Sequence, residues 1–275
     1  MFSLNGKTAV VTGGGRGIGR GIALAMAAAH ARVVLTGRTA SALESTAAEI
    51  RARGGTAITV ANDLTEPGSI EQIVAAALAN FDYIDCWVNN AGSADPNDVG
   101  PLMDLTPERW DRVVDLNLKA AFFAAQAAAR TMRNGGTIVN ISSRSGAHAC
   151  PNTGQYGAAK AGLDNLTKTM AMEWGQFGIR VNGIAPGVVL TEANSGPGGS
   201  MSRPSRIQRQ IETVPLRRLG SVEDIGWLAV YLASDEAAWL TGQTIQMNGG
   251  SEIPIGTLTF LHHVHQRLSG AAPQS

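Results

Sequence analysis

A run of small and β-branched apolar residues, Thr8-Ala9-Val10-Val11-Thr12, passes directly into Gly13-Gly14-Gly15-Arg16-Gly17-Ile18-Gly19. An alanine-rich stretch with helical spacing, Gly19–His30, follows. A strand that turns into a helix through glycines opens a parallel βαβ unit and leaves the helix N-terminus facing outward. The amides there, aided by the helix dipole, form a ready site for phosphate. The missing Cβ atoms let backbone approach a pyrophosphate and let the helix sit close to the strand. The order strand, glycines, helix therefore predicts dinucleotide binding more strongly than the glycines would alone.

The rest of the chain repeats that alternation. Further strands are expected at Arg32–Thr36, Thr56–Ala61, Cys86–Asn89, Thr137–Ser142, Arg180–Ile184 and Thr244–Met247, with helices at Ser41–Arg53, Ser69–Leu78, Pro107–Met132, Tyr156–Phe177 and Val222–Leu232. Short apolar runs alternating with helices imply an α/β fold: a single doubly wound Rossmann domain with a mostly parallel sheet and helices on both faces. Residues 1–251 are read as this domain and 252–275 as a C-terminal extension. The chain of 275 residues is 44% apolar, ample for such a core. Asn194–Ser205, rich in Gly, Ser and Pro, breaks the rhythm, and Gly187–Val214 is read as a mobile lid over the site.

Charge excludes several functions. Lys and Arg number 22 against 22 for Asp and Glu, which argues against nucleic acid or an anionic membrane surface as partner. No stretch is apolar enough for a spanning helix, and no secretory signal is seen. With only Cys86 and Cys150, a disulfide framework is excluded and a reduced, cytoplasmic setting is expected. His262, His263 and His265 cluster in the tail without a carboxylate or thiol beside them, so no metal site is predicted.

The glycine turn reads TGxxxGxG, using Thr12, Gly13, Gly17 and Gly19. Asn89-Asn90-Ala91-Gly92 follows the fourth strand, and Tyr156 and Lys160 stand four apart on one helix face. Ser143 lies just past the fifth strand. In this combination and order the sequence resembles the short-chain dehydrogenase/reductase family over roughly residues 4–250, and within it the 3-oxoacyl-carrier-protein reductases. That resemblance implies Gly13, Gly15, Arg16, Gly17, Ile18 and Gly19 around the cofactor phosphates. It implies Asp63, Leu64, Asn90, Ala91 and Gly92 toward the adenosine side, although Asp63 is equally readable as a cap for the helix at Ser69. Pro186, Gly187, Val188, Val189 and Thr191 would border the nicotinamide. Asn117, Ser143, Tyr156 and Lys160 match the catalytic positions, with Tyr156 and Lys160 also touching the nicotinamide ribose. Asn117, by the same resemblance, holds a water linking Lys160 to solvent. A homotetramer is implied as well, with the alanine-rich helices as contacts.

The chemistry suits those residues. Reducing a ketone needs a hydride and a proton for the forming alkoxide. A phenol of pKa about 10 exchanges poorly at neutral pH, and a nearby ammonium such as Lys160 should lower that value. Ser143 can donate a hydrogen bond where charge develops on the substrate oxygen. Cofactor choice reads from charge: Gly37 stands where an NAD site carries an acid, Arg38 follows it and Arg16 lies in the turn. Two guanidinium groups there favour a 2′-phosphate, hence NADP(H) over NAD(H). The expected substrate is a small carbonyl/alcohol pair, a 3-oxoacyl thioester being one candidate. Arg144, Arg203, Arg206 and Arg209 are possible anionic contacts, although arginines three apart more often form a solvated helix face. Ser145, Ala147, His148, Cys150 and Gln155 are expected in the pocket wall, with no catalytic role for His148. Two other readings are carried: a non-catalytic dinucleotide-binding redox regulator, which intact Ser143, Tyr156 and Lys160 argue against, and an epimerase or dehydratase, which usually has a longer C-terminal substrate domain.

Overall fold

The computed structural model describes residues 2–92, 96–132, 134–196, 199 and 201–251. All seven expected strands form: β1 (Thr8–Thr12), β2 (Arg32–Gly37), β3 (Thr56–Ala61), β4 (Cys86–Asn89), β5 (Gly136–Ile141), β6 (Ile179–Pro186) and β7 (Thr244–Met247). They make one sheet in the order 3-2-1-4-5-6-7. Every pairing is parallel. The helices are α1 (Gly17–Ala28), α2 (Ala40–Ala52), α3 (Ser69–Phe81), α4 (Pro107–Val114), α5 (Ala120–Ala129), α6 (Gly154–Trp174), α7 (Glu192–Ser195), α8 (Pro204–Thr213) and α9 (Val222–Ala233). The result is a doubly wound, Rossmann-type sheet.

Strand periodicity sorts the core into two halves. Ala9 and Val11 face one way and pack with Ile22 and Met26 of α1, Leu43 and Ile50 of α2, and Ile225 and Ala229 of α9. Val10 faces the other way and packs with Ile73 of α3, Ala124 and Ala128 of α5, and Met170 of α6. Burial on both faces explains why these strands read as continuous apolar runs without alternation. β1 sits between β2 and β4. The winding therefore reverses there, and a crevice opens beyond the carboxyl ends of β1 and β4.

One polar chain crosses the apolar interior. Trp87 Nε1 donates to Asn89 Oδ1 at 2.8 Å. Asn89 Nδ2 donates to Asn140 Oδ1 and to the Ala121 carbonyl, each at 2.9 Å. Asn140 Nδ2 then donates to Thr167 Oγ1 at 2.8 Å. Buried amides are costly unless paired, and these are paired, so they lock β4, β5, α5 and α6 into one register.

Three expectations need correction. The single helix Pro107–Met132 is interrupted: a π-turn at Asp115–Lys119 separates α4 from α5. Within it, Asn117 Nδ2 donates to the Val113 carbonyl at 2.9 Å, so a side chain takes up a carbonyl of the preceding turn. Asp63 does not cap α3, whose N-cap is Gly68. Its Oδ1 instead accepts from the Thr65 amide at 3.0 Å and hydroxyl at 2.7 Å. The segment read as a lid carries two helices. Thr191 and Asn194 close a capping box on α7, and Pro204 starts α8. Pro197, Gly198, Ser200 and the whole extension 252–275, with His262, His263 and His265, lie outside the described residues. Among the described residues no helix is long and apolar enough to cross a membrane.

Candidate active site

The crevice at the strand ends is a cleft of about 1940 Å³. At one end stands the glycine turn. Gly13 has φ +66°, and a Cβ on it would lie 2.8 Å from Asn90 Nδ2. A Cβ on Gly19 would lie 2.2 Å from the Gly13 carbonyl oxygen. The turn is thus closed on itself by backbone, and Asn90 Nδ2 ties it to β4 through the Thr12 carbonyl at 2.8 Å. Gly15, Arg16, Gly17 and Ile18 line the same end. The Gly17 amide, in the first turn of α1, donates to Glu192 Oε2 at 3.3 Å. A carboxylate of α7 thus meets an anion-seeking amide at a helix start.

Arg38, Asp63 and Leu64 form the next stretch of wall. Arg38 Nη1 lies 3.9 Å from Asp63 Oδ2, yet its side chain stays 68% exposed. Burial pushes the Asp63 carboxyl up, but hydrogen bonds from Thr65 and the charge of Arg38 outweigh it and hold the group below its ordinary value. The guanidinium thus stands exposed on the rim, with Asp63 at long ion-pair range.

Asn90, Ala91 and Gly92 lead to the floor, where Ser143, Tyr156 and Lys160 converge. Tyr156 and Lys160 come from α6, and Ser143 follows β5. Ser143 Oγ accepts from the Ser145 amide at 3.1 Å and is hydrogen-bonded to the Tyr156 hydroxyl. It thereby caps the turn Arg144–Gly146. Lys160 is 4% exposed. Its Nζ donates to the Ile141 carbonyl at 2.9 Å and lies 5.6 Å from the centre of the Tyr156 ring. Pro186, Gly187 and Thr191 complete the wall.

The electrostatics differ from the expected lowering of the Tyr156 pKa. Burial raises it, and the Ser143 hydrogen bond only partly opposes that rise. The same burial acts on Lys160. Burial drives its ammonium down to about 8, with the Asp164 charge in partial opposition. Burial thus works against charge on both members of the pair, and Tyr156 is held as an acid.

Asn117 and Val189 do not line the cleft. Asn117 is fully buried in the π-turn. It still approaches the site from behind, since a Cβ on Gly92 would lie 2.5 Å from Asn117 Oδ1 and 3.2 Å from Lys160 Nζ. Val189 is buried and bridges to Gly220, and Val188 is likewise outside the cleft lining. Ser145, Ala147, His148 and Cys150 line a separate hollow of about 270 Å³ rather than the main cleft. Cys150 Sγ is 2.7 Å from Thr153 Oγ1 and 3.3 Å from Ser145 Oγ. Gln155 is buried and donates to the Asp98 carbonyl at 2.7 Å. Asp98 and Arg112, paired at 2.6 Å, stand in the cleft wall. Sequence spacing carried no signal for them, because a loop and a helix distant in sequence bring them together.

The comparisons with known proteins agree with this arrangement. A family model described as Enoyl-(Acyl carrier protein) reductase matches residues 13–252. The chain is 35% identical to a 3-oxoacyl-[acyl-carrier-protein] reductase of Synechocystis sp. over 254 residues, 91% of this chain and 98% of that protein. It is 36% identical to a gluconate 5-dehydrogenase of Gluconobacter oxydans, covering 93% of this chain and 98% of that one. A crystal structure of a putative short-chain alcohol dehydrogenase from Sinorhizobium meliloti 1021 superposes with a TM-score of 0.85 at 41% identity, covering 91% of this chain and 98% of the other. Fold, motif order and relatives converge: the chain belongs to the short-chain dehydrogenase/reductase family, resembles its 3-oxoacyl-carrier-protein reductases, and is an oxidoreductase of carbonyl/alcohol substrates that uses a nicotinamide dinucleotide.

Proposed function

We propose that the protein is a cytoplasmic, NADPH-dependent reductase that interconverts a ketone and a secondary alcohol, with 3-oxoacyl thioesters as the first substrate class to test. The observation that carries the reading is the convergence of Ser143, Tyr156 and Lys160 on one cleft floor that continues to the glycine turn. The cleft fits a dinucleotide, because its glycine end has no room for side chains and its rim carries exposed Arg16 and Arg38. The bound nicotinamide supplies the hydride. Ser143 donates a hydrogen bond to the substrate oxygen, Tyr156 gives its hydroxyl proton to the forming alkoxide, and the Lys160 ammonium stabilises the phenolate that remains. Asn117 positions the backbone behind Lys160. We further propose a homotetramer, with the outer faces of α5 and α6, where Phe123 and Met172 stand exposed, as contacts. The test is the rate of NADPH and NADH oxidation against a 3-oxoacyl thioester, a cyclic ketone and a keto sugar. Turnover with none of them overturns the substrate proposal.

Two results follow for cofactor and pH. Removing both guanidinium groups, in Arg16→Ala/Arg38→Ala, should cut the NADPH-to-NADH ratio of kcat/KM by about tenfold or more, since a hydrogen bond to a charged group contributes about 1.5–3 kcal/mol. A ratio unchanged within twofold contradicts the 2′-phosphate role. For pH, reduction needs Tyr156 protonated and Lys160 charged. The Tyr156 pKa is raised, so that condition survives alkaline pH, whereas Lys160 loses its proton near 8. Reduction should therefore be level below about pH 8 and fall roughly tenfold per unit above it. A limb that appears only above about pH 10 would assign the loss to Tyr156 instead.

A further inference from the structure

One charged group beside the catalytic residues plays no part in the chemistry above. Asp164 lies one helical turn beyond Lys160 on α6, on the side that carries Tyr156 and Lys160. Its carboxyl group is half-buried and held from two other elements. Oδ1 accepts from Thr244 Oγ1 of β7 at 3.0 Å. The side chain of Ser142, the residue before Ser143, lies near the carboxyl group and favours its ionised form, although its buried hydroxyl makes no well-formed hydrogen bond. The fit around it is tight, for a Cβ on Gly146 would lie 2.7 Å from Asp164 Oδ2. The turn that presents Ser143 is therefore laid directly on this carboxylate.

The surrounding charges are otherwise spoken for. In the π-turn packed against α6, Asp115 and Lys119 pair with each other at 3.2 Å. Arg112 of α4 pairs with Asp98 at 2.6 Å. Lys168 faces Asp164 from the next turn of α6. Arg144 follows Ser143 in the turn, and Tyr156, which feels Cys150, stands two turns earlier on α6. Lys160 Nζ donates to the Ile141 carbonyl, and Asp164 favours the ammonium by its charge.

We infer that Asp164 is a positioning residue of the reductase. Anchored by Thr244 and packed against the turn at Gly146, its carboxylate supplies the anion that keeps the buried Lys160 ammonium charged and the Ser143 turn seated. The inference rests on the catalytic reading of Tyr156 and Lys160. Burial works against the Lys160 charge, and among the groups around it Asp164 is the one that opposes burial. An opposite charge within about 4–6 Å favours a neighbouring ionisation, by about one pH unit or more for a close pair.

The experiment is the pH profile of kcat for ketone reduction in the full chain, each variant normalised to its own low-pH plateau. Asp164→Asn keeps shape and hydrogen bonding but removes charge. Asp164→Ser removes charge with less bulk and serves if the asparagine variant does not fold. Asp164→Glu restores the carboxylate, and Tyr156→Phe is run alongside. The alkaline limb should move about one pH unit toward acid in the uncharged variants and return toward the parent position with glutamate. A limb that stays in place while thermal stability falls makes Asp164 a purely structural residue and overturns the inference alone. Tyr156→Phe that turns over like the parent overturns the catalytic reading, and the inference with it.

Discussion

Tyr156→Phe should lose about 10²–10⁴-fold in kcat, the range set by removing a positioned general acid. The variant loses one oxygen from a half-buried ring and nothing of the ring's packing on α6. Dinucleotide affinity, read by fluorescence titration, should stay within a few-fold, because the glycine turn and the Arg38 rim are untouched. The hydroxyl serves only while the proton moves, so the loss falls on kcat rather than on KM. Loss of affinity matching loss of rate would point to a collapsed floor. Retained turnover would remove Tyr156 from the chemistry and revive a binding-only reading of the cleft.

Gly19→Val should be the most damaging change at the glycine turn. Its first added carbon already falls 2.2 Å from the Gly13 carbonyl oxygen and 2.4 Å from Asn90 Nδ2. Asn90 can move, but the carbonyl belongs to the turn itself, so relief requires α1 to shift away from β1. Overpacking of this kind costs about 1–3 kcal/mol or more, and here it also displaces the amides that would meet the pyrophosphate. We expect dinucleotide affinity to fall at least tenfold, with a lower melting temperature measured beside it. An unaltered Kd would show that the turn does not hold the phosphates.

The fold was legible because both faces of the sheet are covered. Strands such as Val33–Leu35 and Cys86–Val88 stay apolar throughout, and the helices between them carry the alanines that close packing needs. Glycine turn, Ser143, Tyr156 and Lys160 were legible for another reason: their spacing is set within single strand–turn–helix units. What escaped depends on contacts between units. Asn140 and Thr167 form their buried bond across a strand and a helix. Asp98 meets Arg112 from a loop, and Asp164 faces Ser142 and Thr244 from two strand ends. The lowered Tyr156 pKa was expected from proximity to an ammonium, but burial, which linear spacing does not reveal, reverses the direction. The helix Pro107–Met132 showed the right residues but not the break, since a π-turn leaves no glycine or proline behind.

That break has a consequence for insertions and deletions. An α-helix advances about 100° per residue, and a turn closed one residue wider fits that residue into about the same sweep. Before the π-turn, α4 shows Glu108, Asp111 and Arg112 to the cleft. After it, α5 turns Ala120, Ala121, Ala124, Ala125 and Ala128 inward. The five residues Asp115–Lys119 join a polar outer stripe to an apolar inner one. Removing one residue there would restore an even helix and leave the alanine stripe on β4 and β5, whereas removing one within α5 would turn the rest of the stripe by about 100°. Loops ordinarily absorb a change in chain length. In this chain a helix interior does so, because the wide turn takes up one residue while both stripes keep their faces.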